Sequence, residues 1–187
     1  MGNIQIDLLY FINNGMQNTF LDKIVPILYA MADVRVIYAL TILIFLVSWK
    51  LKKDKIKKIA FLCIVAYCFS SVLVMKSKIF YPSIRPFIAL EGIRLAVHDN
   101  GFYSFPSGHV CISTTAISII LLTVNKYKRE LFALGIIYLL ILSFVCMYGG
   151  VHYPIDIIGG IIIGVISAVI IVHFKDFLFN LLHKLKL

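Results

Sequence analysis

The sequence predicts an all-α fold, a polytopic bundle of membrane-spanning helices. Three observations carry that prediction. Of its 187 residues, 61% are hydrophobic and only 14% are charged, where soluble domains run near half apolar and a quarter charged. The mean hydropathy is +0.96. Five apolar runs alternate with polar connections, and a bilayer core of about 30 Å asks for about 20 such residues per helix. One integral membrane domain, residues 1–187, accommodates them all.

Residues 1–33 come first. Ile4, Leu8, Phe11 and Ile12 form a helical apolar stripe, which predicts an interfacial helix. The opening "MGNIQIDLLYFINNG" lacks the basic start and small-residue cleavage site of a signal peptide. Residues 19–32 are apolar but interrupted by Asp22, Lys23 and Pro26. They are expected to pack on or sink partly into the outer leaflet, with a sixth span as the alternative. The predicted spans follow at 34–49, 57–76, 108–124, 130–148 and 155–173, which makes five transmembrane helices, or six with the N-terminal stretch.

The connections fix the expected topology. "KLKKDKIKK" at 50–58 holds six lysines, "NKYKRE" lies at 125–130, and "HFKDFLFNLLHKLKL" follows the last span. Positive residues flanking apolar spans mark the cytoplasmic side, so the 77–107 and 149–154 connections belong on the extracytoplasmic side. In the tail, Phe174, Phe177, Leu178, Leu181, Leu182 and Leu185 recur at helical spacing among lysines. That pattern fits either a surface helix on anionic lipid or a frayed helix end. The net charge of +9 resides in these flanks, which argues against a nucleic-acid partner. Cys63, Cys68, Cys111 and Cys146 lie in apolar runs without a CxxC pair, so neither a disulfide framework nor a zinc site is expected.

Chemistry-bearing residues gather at the opposite helix mouths. The 77–107 connection carries Lys78, Arg85 and Arg94, against the usual scarcity of cations on that side. "FPSGHV" at 105–110 opens the third span. There Ser107 can cap the helix, Gly108 lets a ligand near the backbone, and the helix N-terminus favours an anion. His109 follows; alone, a histidine there is more often an ordinary hydrogen-bonded residue. "YGGVHYPID" at 148–156 opens the fifth span, with Pro154 suited to a first helical turn. His152 and Asp156 can form a carboxylate–imidazole pair, although alone Asp156 could simply complement the helix dipole. Two histidines, an aspartate and two cations at one membrane face imply phosphate chemistry, because ionisable residues at membrane depth are functional suspects.

These stretches resemble the three motifs of the type 2 phosphatidic acid phosphatase (PAP2) superfamily of membrane lipid phosphatases: KxxxxxxRP, PSGH and SRxxxxxHxxxD. The first is "KIFYPSIRP", Lys78 to Pro86, and the second is Pro106 to His109. The third, "VCMYGGVHYPID", keeps His152 and Asp156 but has Val145 and Cys146 where the family has serine and arginine. The resemblance implies that His152 is the nucleophile, forming a phosphohistidine, that Asp156 orients it, and that His109 protonates the leaving oxygen. Lys78, Arg85, Ser107 and the Gly108 backbone would hold the phosphoryl oxygens. It implies no metal and no cofactor. The expected partners are membrane lipids and a lipid phosphate substrate: undecaprenyl pyrophosphate first, with phosphatidylglycerol phosphate and lipid A phosphate as alternatives. A non-catalytic lipid-binding or transport protein on the same fold is the rival of another class. Arg94 is the candidate to substitute for the arginine absent at position 146. The oligomeric state is left open.

Overall fold

The computed structural model describes residues 4–184. It is an all-α bundle, with nine α-helices among those residues. Helix α1, Ile4–Tyr10, runs into a π-helical turn at Phe11–Gly15. Helix α2 is Thr19–Met31 and α3 is Val34–Lys50; Asn18 and Asp33 cap them with their side chains. Helix α4 is Asp54–Phe80, α5 the single turn Pro86–Ala89, α6 Gly108–Thr123, α7 Lys128–Tyr148, α8 Pro154–His173 and α9 Lys175–Lys184.

Each of the five predicted spans is one helix. Three of them, α4, α7 and α8, are long and apolar enough to cross a membrane alone. Helices α2 and α3 meet at a 48° bend and make a fourth crossing if counted together. By length and composition alone the described helices thus make three crossings, or four, within the expected all-α membrane bundle. Helix α6 has 16 residues, about 24 Å at 1.5 Å per residue. It tolerates that length because it is the central helix, with only Leu122 exposed along it. Its flanks are covered by α3, α4, α7 and α8.

Close packing of α6 on α8 rests on two glycines one helical turn apart. A Cβ on Gly160 would lie 2.7 Å from the Ser107 carbonyl oxygen, and one on Gly164 would lie 2.7 Å from that of Cys111. Small residues at this spacing let two helix backbones touch, which is how helices associate where water supplies no driving force. The result sets the N-terminus of α6 beside that of α8, and the Ser107 N–H donates to the Asp156 carbonyl at 3.0 Å.

The N-terminal segment is docked on the bundle. Ile4, Leu8 and Phe11 are exposed, as a lipid-facing stripe should be, but Leu9, Ile12 and Asn13 are buried. The Asn13 amide donates to the carbonyls of Tyr148 at 2.7 Å and Arg94 at 3.0 Å, and its oxygen accepts from the Arg94 N–H at 2.9 Å. Such bonds contribute roughly 1 kcal/mol each, and more is lost when a buried partner is orphaned. In the tail, Leu178 and Phe179 pack on the α4–α6 core, Leu182 is buried, and Phe174, Phe177 and Leu181 face outward. Leu185 of the predicted stripe lies outside the described residues. Cys63, Cys111 and Cys146 are buried and Cys68 is exposed, all as free thiols.

Candidate active site

The last turn of α4, the 81–107 connection and the N-termini of α6 and α8 converge at one end of the bundle. The connection is tied down by backbone bonds. Phe87 N–H donates to Gly150 O at 3.1 Å, Ala96 N–H to Gly149 O at 3.2 Å, and Arg85 N–H to Phe102 O at 3.1 Å. Gly150 has φ +75°, and a Cβ there would stand 2.2 Å from the Arg94 carbonyl oxygen. Only glycine permits this turn, which delivers His152.

His152 and Asp156 form the central pair. His152 Nδ1 lies 3.4 Å from Asp156 Oδ2, and both side chains are buried. The same carboxylate oxygen accepts the Tyr153 N–H at 2.8 Å, which fixes it at the first turn of α8. His152 Nε2 is buried with no protein partner, and so is His109 Nε2. Burial pushes the His152 ring below its ordinary pKa, while the hydrogen bond to Asp156 acts the other way. A neutral imidazole whose Nδ1–H points at a carboxylate keeps a lone pair on Nε2, the form required of a nucleophile.

The remaining predicted residues surround this pair. Ser107 is fully buried and caps α6 by accepting the Val110 N–H at 3.4 Å. Nothing stands closer than 4.0 Å to the place a Gly108 Cβ would occupy, so its backbone is approachable. His109 stacks on the Tyr29 ring, centroids 4.4 Å apart. Lys78 Nζ donates to the carbonyls of Tyr103 at 2.7 Å and Ser104 at 3.4 Å. Arg85, buried, donates from Nε to Tyr103 O at 3.3 Å and sets Nη1 2.5 Å from Asp99 Oδ2. Lys78, Arg85 and Asp156 lie within electrostatic reach of His152, and His109 within reach of His152 and Arg85. Cations, helix N-termini and two histidines thus converge, which suits the spread charge of a transferring phosphoryl group.

Two residues of the site escaped the sequence reading. Tyr29 stacks on His109 and donates its hydroxyl to Asp99. Burial raises the Asp99 carboxyl, but the bonds from Tyr29 and the Gly101 N–H, with the charge of Arg85, outweigh it and hold it below the usual range. Arg94 does not fill the place of the absent arginine. Its Nη1 pairs with Asp22 Oδ1 at 3.1 Å, its Nη2 donates to Asn13 O at 2.8 Å, and its guanidinium lies over Tyr148. It braces the N-terminal segment because Asp22 and Asn13 accept from its two terminal nitrogens. Cys146 is buried behind the site, within hydrogen-bonding reach of Ser107 and electrostatic reach of Arg85, Asp99 and Asp156. Among the described residues no group of His, Cys, Asp or Glu side chains is placed to hold a metal ion.

An apolar cavity of about 390 Å³ opens beside Asp156, lined by Tyr81, Ser83, Phe105 and Ile155. It lies between the end of α4 and the start of α8, where an acyl or prenyl chain could approach sideways.

Comparison with known proteins agrees with this geometry. A profile described as the PAP2 superfamily matches residues 55–179. A protein of Sulfolobus acidocaldarius named undecaprenyl-diphosphatase is 33% identical over 108 residues, 58% of this chain. The match spans about half the length of that relative, 51%. The bacitracin transport permease protein BcrC of Bacillus licheniformis is 24% identical over 90% of this chain and 79% of its own. Among solved structures, LpxE of Aquifex aeolicus superposes with a TM-score of 0.74 at 26% identity, covering 92% of this chain and 96% of that one. A PAP2-type phosphatidylglycerolphosphate phosphatase of Bacillus subtilis gives 0.71 at 16% identity, over 94% and 88% of the two chains, and shows the shared fold.

Proposed function

The chain belongs to the PAP2 superfamily, and on that premise we propose that it is a membrane lipid phosphatase acting through a phosphohistidine. The observation that carries the reading is the His152–Asp156 pair, with His152 Nε2 buried, unpartnered and close to the equally unpartnered His109. His152 Nε2 attacks the terminal phosphorus while Asp156 holds the Nδ1–H. The bond from phosphorus to the bridging oxygen breaks, and that oxygen takes a proton from His109. Lys78, Arg85 and the N–H groups at the start of α6 stabilise the charge on the phosphoryl oxygens. Water then attacks the phosphohistidine, gives its proton to His109, and inorganic phosphate leaves.

The substrate we favour is undecaprenyl pyrophosphate. The relative named undecaprenyl-diphosphatase and the apolar cavity beside Asp156 support it. The lysine-rich segments 50–58 and 125–130 lie at the far end of the bundle, so the positive-inside rule turns the site to the extracytoplasmic face of the cell membrane. Cys146 favours a second reading. Loss of a charge-assisted phosphate contact costs about 2.7–4 kcal/mol if an oxyanion-hole donor is a fair guide, and a lipid-binding protein on this fold could do without it. Phosphate release by purified protein, tested on undecaprenyl pyrophosphate, phosphatidylglycerol phosphate and lipid A phosphate, separates the readings. Release from the first alone supports ours; release from none favours lipid binding without turnover.

A further inference from the structure

The end of the bundle away from the candidate active site holds a second cavity, of about 460 Å³, between the start of α4, the end of α6 and α9. That size falls within the range of about 300–1,000 Å³ usual for small-ligand sites. Its wall is of two kinds. Lys55, Lys58 and Lys175 supply three cations against one carboxylate, Asp176, while Leu62 and Phe179 belong to its apolar part. Lys58 Nζ stands 5.1 Å over the Phe179 ring, a cation–π contact that holds the amine at the cavity wall. Helix α9 forms one side because Leu178, Phe179 and Leu182 fold it back onto the bundle, leaving Phe174, Phe177 and Leu181 facing outward. Apolar side chains on the outer face of a lysine-bearing helix place it at the level where lipid headgroups meet acyl chains.

We propose that this cavity is a binding site for the headgroup of an anionic glycerophospholipid, separate from the substrate site. The three lysines neutralise the phosphodiester, and the acyl chains run past Phe177 and Leu181 into the bilayer. Ordinary topology-setting lysines need no cavity and no aromatic contact. Here they are exposed at the rim of a half-open cavity and outnumber its carboxylate, which is the complement of a phosphate and not of a zwitterion. Each juxtamembrane lysine is worth about fivefold in affinity for an anionic surface.

The test uses the full chain in detergent, titrated with phosphatidylglycerol, phosphatidylcholine or inorganic phosphate. Thermal unfolding and the lipid retained in native mass spectra are the readouts. Neither depends on phosphatase activity, so the result stands apart from the fate of that reading. Phosphatidylglycerol should raise the unfolding temperature and be retained, whereas phosphatidylcholine should do neither. K55Q/K58Q/K175Q should weaken this binding by about tenfold or more, and K50Q/K52Q/K53Q, the same charge change outside the cavity, should preserve it. If the triple cavity variant does not fold, Lys175→Gln alone should show about a fivefold loss. Equal loss in both triple variants, no loss in either, or a full shift from inorganic phosphate alone would overturn the proposal.

Discussion

Lys55 and Lys78 stand near the two ends of one helix, α4, in opposite surroundings. Lys55 is exposed among other lysines. Lys78 is half-buried, and its amine donates to the carbonyls of Tyr103 and Ser104, with a third N–H to spare, near the buried cation Arg85. The same side chain leaves its amine open to the surroundings where water bathes it and has it held by backbone carbonyls where protein closes around it. Charge count alone does not separate the two ends. What separates them is whether backbone from a distant part of the chain has closed around the charge.

Substitutions at the two ends test this contrast. The largest effect belongs to His152→Ala, which should remove about 10⁶-fold of turnover, the scale of losing a covalent nucleophile. Unfolding temperature, measured alongside phosphate release, shows whether the fold survives. Wild-type turnover in this variant would end the phosphohistidine mechanism. Asp156→Asn comes next, at about 10⁴-fold, the scale for losing the carboxylate that orients a catalytic imidazole. Phosphate-release kinetics at saturating lipid should show the loss in kcat. Arg85→Gln should cost about 10²–10³-fold, as for one lost donor to a developing oxyanion; a change under threefold would move the phosphate elsewhere. Smallest of all is K52Q/K53Q at the other end, within about twofold, as expected of exposed surface positions.

The pH profile sharpens the same comparison. Burial lowers the His152 pKa, so its neutral, nucleophilic form persists below the ordinary histidine value of about 6.5. The acid limb of kcat/KM should therefore fall at a pH below that value, as His152 gains a proton. The unfolded chain binds that proton more readily than the folded one. Stability is thus fully present above the ordinary histidine pKa and declines as pH falls through it. A chemical-denaturation series across this range checks the sign, and His152→Gln should flatten it.

Much of the site was legible because its residues occupy helix mouths. Pro154 starts α8, Ser107 caps α6, and a polar cluster between apolar runs stands out against them. The five helical cores were legible for the same reason, as runs of apolar residues. Tyr29 and Asp99 were not, since their meeting joins positions 70 residues apart and neither breaks its local pattern. The partner of Arg94 was hidden in the same way: Asp22 looked like an interruption in an apolar stretch and is its counter-ion. One signal was present in the sequence and went unread, the glycines of "GGIIIG" at 159–164, whose spacing forecasts the close approach of α8 to α6.

The bond from Ser107 N–H to the Asp156 carbonyl has a consequence for biosynthesis. Helices α6 and α8 are partners, but α7 is made between them. A nascent chain that has reached α7 already holds Lys78, Arg85 and His109, yet lacks both members of the pair that would begin the reaction. Only when α8 inserts against α6, glycine face inward, does the turn carrying His152 close over the cations. On the proposed mechanism a half-inserted chain would therefore be chemically silent toward the lipids around it, and competence would arrive in one step with the helix that packs on α6.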